Sequence, residues 1–154
     1  MIDKEAYSLR IMKATPAQLV VINFEITIDY LNEALARFND RDSFEPMAEK
    51  AKSGLSQLIQ SLNFDVSLSH DLYALYQYIY KLLNDALFGH KREPAEEALG
   101  LLNTLLEGWR DAEGKETEAV PVIGELPQVY AGLTYQRGGL SEYVEQDESR
   151  GYKA

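Results

Sequence analysis

Twelve residues near the middle of the chain, Leu72-Tyr73-Ala74-Leu75-Tyr76-Gln77-Tyr78-Ile79-Tyr80-Lys81-Leu82-Leu83, constrain the fold most severely. On a helix advancing roughly 100° per residue, Leu72, Leu75, Ile79, Leu82 and Ala86 fall in one stripe. Tyr73, Tyr76, Tyr80, Leu83 and Leu87 fall in a second stripe beside it. Together the stripes span an arc of roughly 200°, about twice the apolar face of an ordinary surface helix. The second stripe therefore needs a cover beyond one bundle face. The cover is either the chain itself, a second copy, or an amphipathic helix from a partner laid into a groove.

A chain of 154 residues is long enough to bury a real core as one domain. With no cysteine there are no disulfides, no thiolate nucleophiles and few routes to a zinc site, which fits a reducing compartment. The opening Met1-Ile2-Asp3-Lys4-Glu5 starts no signal peptide, and no apolar run approaches a membrane span. These features predict a soluble cytoplasmic protein without membrane insertion. The net charge of −10, with no local cluster of Lys and Arg, predicts no nucleic-acid partner.

Along the chain, residues 1–14 read as a lead-in whose short apolar pattern, Tyr7, Leu9, Ile11 and Met12, could dock on a bundle. Thr15, Pro16 and Gln18 then form a capping box that starts a long helix running to about Phe38. Its core face is Val20, Phe24, Thr27, Leu31, Leu35 and Phe38, and Leu19, Ile22, Ile26 and Tyr30 make a second apolar row. This helix shares the surplus seen in the Leu72–Leu83 stretch. Asp42 with Glu45 suggests another box, opening a second helix with one clean stripe from Phe44 to Leu62. Gly54 inside that helix costs roughly 1 kcal/mol relative to Ala, as either a close approach of a neighbour or a tolerated weak spot. A third helix is predicted over about His70 to Phe88, stopped by Gly89, and a fourth from Pro94, with Ala95, Ala98, Leu102, Leu105 and Trp109 inward. Four amphipathic segments with short links predict an all-α fold, an antiparallel four-helix bundle over residues 1–112.

From residue 113 the character changes. Residues 113–154 read as a C-terminal extension, a linker followed by a Gly- and Tyr-rich stretch without a helical stripe. Two apolar pieces stand out, Val120-Pro121-Val122-Ile123 and Val129-Tyr130-Ala131-Gly132-Leu133. Such pieces suggest that part of the extension binds back onto the bundle or meets another protein.

Residues for chemistry are sparse. His70 and His90 lie near predicted helix ends, and neither has a carboxylate at metal-binding spacing. A phosphotransfer bundle would need an exposed mid-helix histidine with a cation one turn away, which neither provides. Gly138-Gly139 lacks the strand and the Lys-Ser/Thr pair of a phosphate loop, and Glu96-Glu97 reads as a solvated face. No catalytic residue, cofactor or metal ligand is assigned, and the chain is read as a binding protein.

The pieces that carry a resemblance are Leu72-Tyr73-Ala74-Leu75-Tyr76-Gln77-Tyr78-Ile79, Ala14-Thr15-Pro16 followed by Leu19-Val20, and Lys50-Ala51 with Leu58. The first is similar to the Leu-Tyr-Ala-Leu-Tyr-Asp-Tyr-Met signature of the FliS flagellin-export chaperones of bacteria. The others resemble that family's opening and second helix, so the likeness runs from about Ile11 to Trp109. It departs at Lys13, at Phe24-Glu25-Ile26 and at Gln77, where Thr, Tyr-Asp-Gly and Asp are common in the family. Ile26 puts bulk where the family has none and would narrow a groove there.

The resemblance implies a cytoplasmic four-helix chaperone that catalyses nothing. Such a chaperone holds the C-terminal segment of flagellin, blocks its premature polymerisation and supports type III export. The export gate and a co-chaperone would be further partners, with a homodimer left open. A bundle adaptor or regulator that binds a different helix is the alternative. Combined with the surplus stripes, the resemblance gives Leu19, Ile22, Ile26, Tyr30, Tyr73, Tyr76, Tyr80, Leu83 and Leu87 as expected partner-binding residues. On this reading Tyr76→Asp or Leu83→Asp weakens binding and spares the fold, whereas Leu75→Asp unfolds it.

Overall fold

The computed structural model describes residues 3–112 and is all-α, with five helices among them. They are α1 (Lys4–Lys13), α2 (Pro16–Ala36), α3 (Arg41–Gln60), α4 (Leu68–Gly89) and α5 (Arg92–Ala112). The expected irregularity of residues 113–154, and any docking of that extension, lie outside the described residues.

Local chemistry sets the helix ends. The Thr15 hydroxyl accepts from the Gln18 amide at 3.2 Å, and the Gln18 side chain accepts from the Thr15 amide at 3.0 Å, so the predicted capping box starts α2. The second predicted box is corrected. Asp40 is the N-cap of α3, accepting from the Asp42 amide and the Ser43 hydroxyl, while Glu45 faces outward to Arg41. The stop of α4 is also displaced by one residue. Gly89 stays helical and His90 takes the left-handed position with φ 49°. The His90 ring stacks on Phe38, centroids 4.2 Å apart, and Phe44 stands roughly perpendicular beside both rings, which anchors His90 in this conformation.

Helices α2 to α5 form a ring of neighbours, α2 beside α3, α3 beside α4, α4 beside α5, and α5 back against α2. Short links make each sequential pair antiparallel. Phe24, Leu31, Phe44, Leu55, Leu58, Ile79, Leu83 and Leu102 fill the centre and are almost fully removed from water. The ring of Tyr76 meets Phe24 edge-on at 6.1 Å. Gly54 marks a close approach: a Cβ there would collide with the Thr27 hydroxyl on α2, which itself donates to Asn23 Oδ1 at 3.0 Å. Both polar side chains are buried, so the missing side chain at Gly54 lets α3 lie directly on them.

The core face of α4 is rotated from the one that heptad spacing suggests. Tyr76, Ile79, Leu82, Leu83, Ala86 and Leu87 point inward, whereas Leu72 and Leu75 sit at the edge, half-buried. Tyr76, Leu83 and Leu87, expected on a partner-facing stripe, are therefore core residues, so Tyr76→Asp and Leu83→Asp are expected to damage the fold more than Leu75→Asp. Two neighbouring rows of similar apolarity leave the rotation undetermined by α4 alone. Contact with Phe24 on α2 turns Tyr76 inward in the first half of α4, and from Ile79 onward members of both rows are buried.

Candidate functional site

The apolar surface that remains beyond the main core lies mainly on α2. Leu19, Ile22 and Ile26 point away from the centre and form a second, smaller cluster with Ile11 of α1, joined by Tyr7, Ala14 and Tyr30. Each of the three is buried, and among the described residues it clusters with Ile11 of α1 and not with the four-helix core. The Asp3 carboxylate caps α1 by accepting from the Ala6 amide at 3.1 Å, and Tyr7 and Ile11, four residues apart, share its inner face. Leu9 and Met12, the other half of the apolar pattern, are open to water, Met12 at 73%.

Polar contacts tie this cover to α2. The Tyr7 hydroxyl donates to Asp29 at 2.6 Å, and burial together with that bond pushes its pKa well above the usual phenol value. Arg10 pairs with Glu25 at 2.5 Å, and Arg110 from α5 reaches the same carboxylate at 2.8 Å. Burial works against the charge on Glu25. The hydrogen bonds from Arg10 and Arg110 outweigh it, and the carboxyl is held below its ordinary range. Tyr30 lies at the border between the two clusters, with Lys50 above its ring and its phenol pushed up by burial.

On α4 the expected site residues separate. Tyr73 is 40% exposed, Tyr80 is half-buried, and Tyr76, Leu83 and Leu87 are inside. Lys52 of α3 covers Tyr80, its ammonium 5.5 Å from the ring centre and 2.9 Å from Asn84. Further along, Phe88 is 77% exposed, and Tyr78 donates to Glu97 of α5 at 2.7 Å. The nine expected residues therefore do not form one continuous trough. Leu19, Ile22, Ile26 and Tyr30 converge under α1, and Tyr73 and Tyr80 lie on the α4 surface.

The α1 helix escaped the sequence reading, although Asp3, Tyr7, Ile11 and Ala14 carry its signal as a cap and one short stripe. The other omission is an aromatic cluster at the start of α4, where Phe64 meets His70 at 5.2 Å and Tyr73 at 5.7 Å between ring centres. Among the described residues no group of His, Asp and Glu could hold a metal ion, and no helix is long and apolar enough to cross a membrane.

The family model described as flagellar protein FliS matches residues 4–116, most of the chain. No curated protein matches it.

Proposed function

The chain belongs to the FliS family of flagellar secretion chaperones, and on that premise we propose that it holds the C-terminal segment of flagellin in the cytoplasm and keeps it unpolymerised until type III export. Membership of the family supports flagellin as the client. The segment bound, the surface used and the hand-over to the export gate are our reading.

The observation that carries it is the second apolar row of α2, whose cover among the described residues is a ten-residue helix. A helix that short is marginal on its own. What holds it is the burial of Ile11, roughly 1.5–3 kcal/mol, together with the Tyr7–Asp29 hydrogen bond and a half-exposed ion pair of about 0–1 kcal/mol. A flagellin helix that presents more than one large apolar residue to Leu19, Ile22 and Ile26 can displace it. Client binding then exchanges one amphipathic helix for a better one and exposes no core.

Titration of the full chain with a flagellin C-terminal peptide tests the reading. Ile22→Asp is expected to abolish binding while thermal unfolding stays cooperative, because the residue lies outside the main core. Unchanged affinity would remove the α2 row from the client site. A stoichiometric complex only with an unrelated amphipathic helix would favour the adaptor reading instead.

A further inference from the structure

Phe64, Leu68 and Tyr73 leave 42%, 52% and 40% of their surfaces in water. Single exposed apolar residues are ordinary. Here the Phe64 ring meets both Tyr73 and His70, and Leu68 opens α4 at the same end of the bundle. Their combined open surface is roughly 250 Å², taking roughly 150–250 Å² for a whole aromatic side chain. That is well below the roughly 800 Å² per partner of a stable dimer interface, but it suits a short tethered segment.

The position of the patch identifies the tether. The Tyr78 hydroxyl bonds Glu97 across the antiparallel α4–α5 pair. Following α5 from Glu97 to its end at Ala112 corresponds to following α4 backward into the connection at Asn63. The chain thus leaves α5 at the end of the bundle that carries Phe64, Leu68 and Tyr73. Eight positions later comes Val120-Pro121-Val122-Ile123. Eight residues reach at most roughly 26–29 Å, while neighbouring helices lie only about 8–10 Å apart. A proline restricts its own φ and disfavours helical backbone at the residue before it, so a Val-Pro-Val-Ile sequence loses less entropy than most on docking against rings.

The geometry points to a second binding surface, the Phe64–Leu68–Tyr73 patch, occupied by the chain's own Val120–Ile123 segment. This goes beyond the client site under α1 and does not depend on which protein that site receives. Tethering supplies an effective concentration in the millimolar range, so a weak apolar contact suffices.

The chain has no cysteine, so an introduced pair reports proximity without background. Ser67→Cys places one thiol beside the patch at a helix start that makes no side-chain cap bond. Gly124→Cys places the other next to the docked segment. The control pairs Gly124→Cys with Lys13→Cys, an exposed site just before α2 at the same end of the bundle. Under mild oxidation of the full chain, the Ser67/Gly124 pair is expected to close within single molecules at least tenfold faster than the control. Adding Ile123→Asp should bring it back to the control rate. Equal rates for the two pairs, or closure indifferent to Ile123→Asp, would overturn the assignment. Disulfide-linked dimers as the main product would overturn it in favour of a second copy.

Discussion

Gly54 has no side chain at the point where α3 crosses α2, and its neighbours there, Thr27 and Asn23, are buried and bonded to each other. On an isolated helix Gly→Ala would gain roughly 1 kcal/mol. In this packing the added methyl drives into the Thr27 hydroxyl, and overpacking of this kind costs about 1–3 kcal/mol. Gly54→Ala is therefore expected to lower the urea midpoint despite the better propensity. A raised midpoint would mean that Thr27 swings aside without loss. Tyr76 and Leu83 give the opposite case, side chains that fill space instead of leaving it. Tyr76→Asp or Leu83→Asp would bury an unpaired charge at a cost of several kcal/mol, against a total stability of about 5–15 kcal/mol. Each is expected to abolish the cooperative thermal transition, whereas Leu75→Asp, at the edge of the bundle, should only lower it.

At the scale of the element, α1 packs over Leu19, Ile22 and Ile26 of α2, and on the proposed reading it controls access to that row. A ligand that binds only after α1 has lifted loses affinity in proportion to the lifted fraction, tenfold for each roughly 1.4 kcal/mol of closure. Ile11→Asp is expected to raise affinity for a flagellin C-terminal peptide about tenfold or more. It should also speed hydrogen exchange of residues 4–13, with the four-helix transition little changed. Tightening of exchange, or weaker peptide binding, would make α1 a contributor to the client site and not its cover. The start of α2 was legible because Thr15 and Gln18 satisfy each other within four residues, whereas at Gly54 the sequence left a close approach and a tolerated weak spot open, and only the contact with Thr27 decides for the first. The rotation of α4 was not legible, since its two apolar rows differ only in what they meet on α2 and α3. Nor was α1, whose stripe fully buries one residue, Ile11. The surplus apolarity of α2 was correctly seen as needing a cover. That the chain supplies one itself depends on contact between residues 7–11 and 22–29, which periodicity within either helix does not reveal.

Across the whole molecule, one carboxylate joins three helices: Glu25 of α2 accepts from Arg10 of α1 and Arg110 of α5. Its side chain is 15% exposed, while both arginines are about half exposed, so solvent screens the pairing and its contribution is modest. The pKa of Glu25 is lower in the folded chain than its ordinary value of 4.5. The folded state therefore binds this proton less readily than the unfolded state, and the stabilisation is complete above pH 4.5 and drains away as the pH falls through the folded value. Glu25→Gln removes the charge at every pH. The wild-type chain is accordingly expected to melt above the Glu25→Gln variant at pH 7, and the gap should narrow steadily below pH 4.5 as wild-type Glu25 takes up its proton. Because Arg10 loses its charged acceptor on α2 in the same step, hydrogen exchange in residues 4–13 should rise over the same window in the wild-type chain and stay flat in the variant. A gap that persists undiminished to pH 3 would show that Glu25 acts by shape alone and that acid does not loosen the cover over the α2 row.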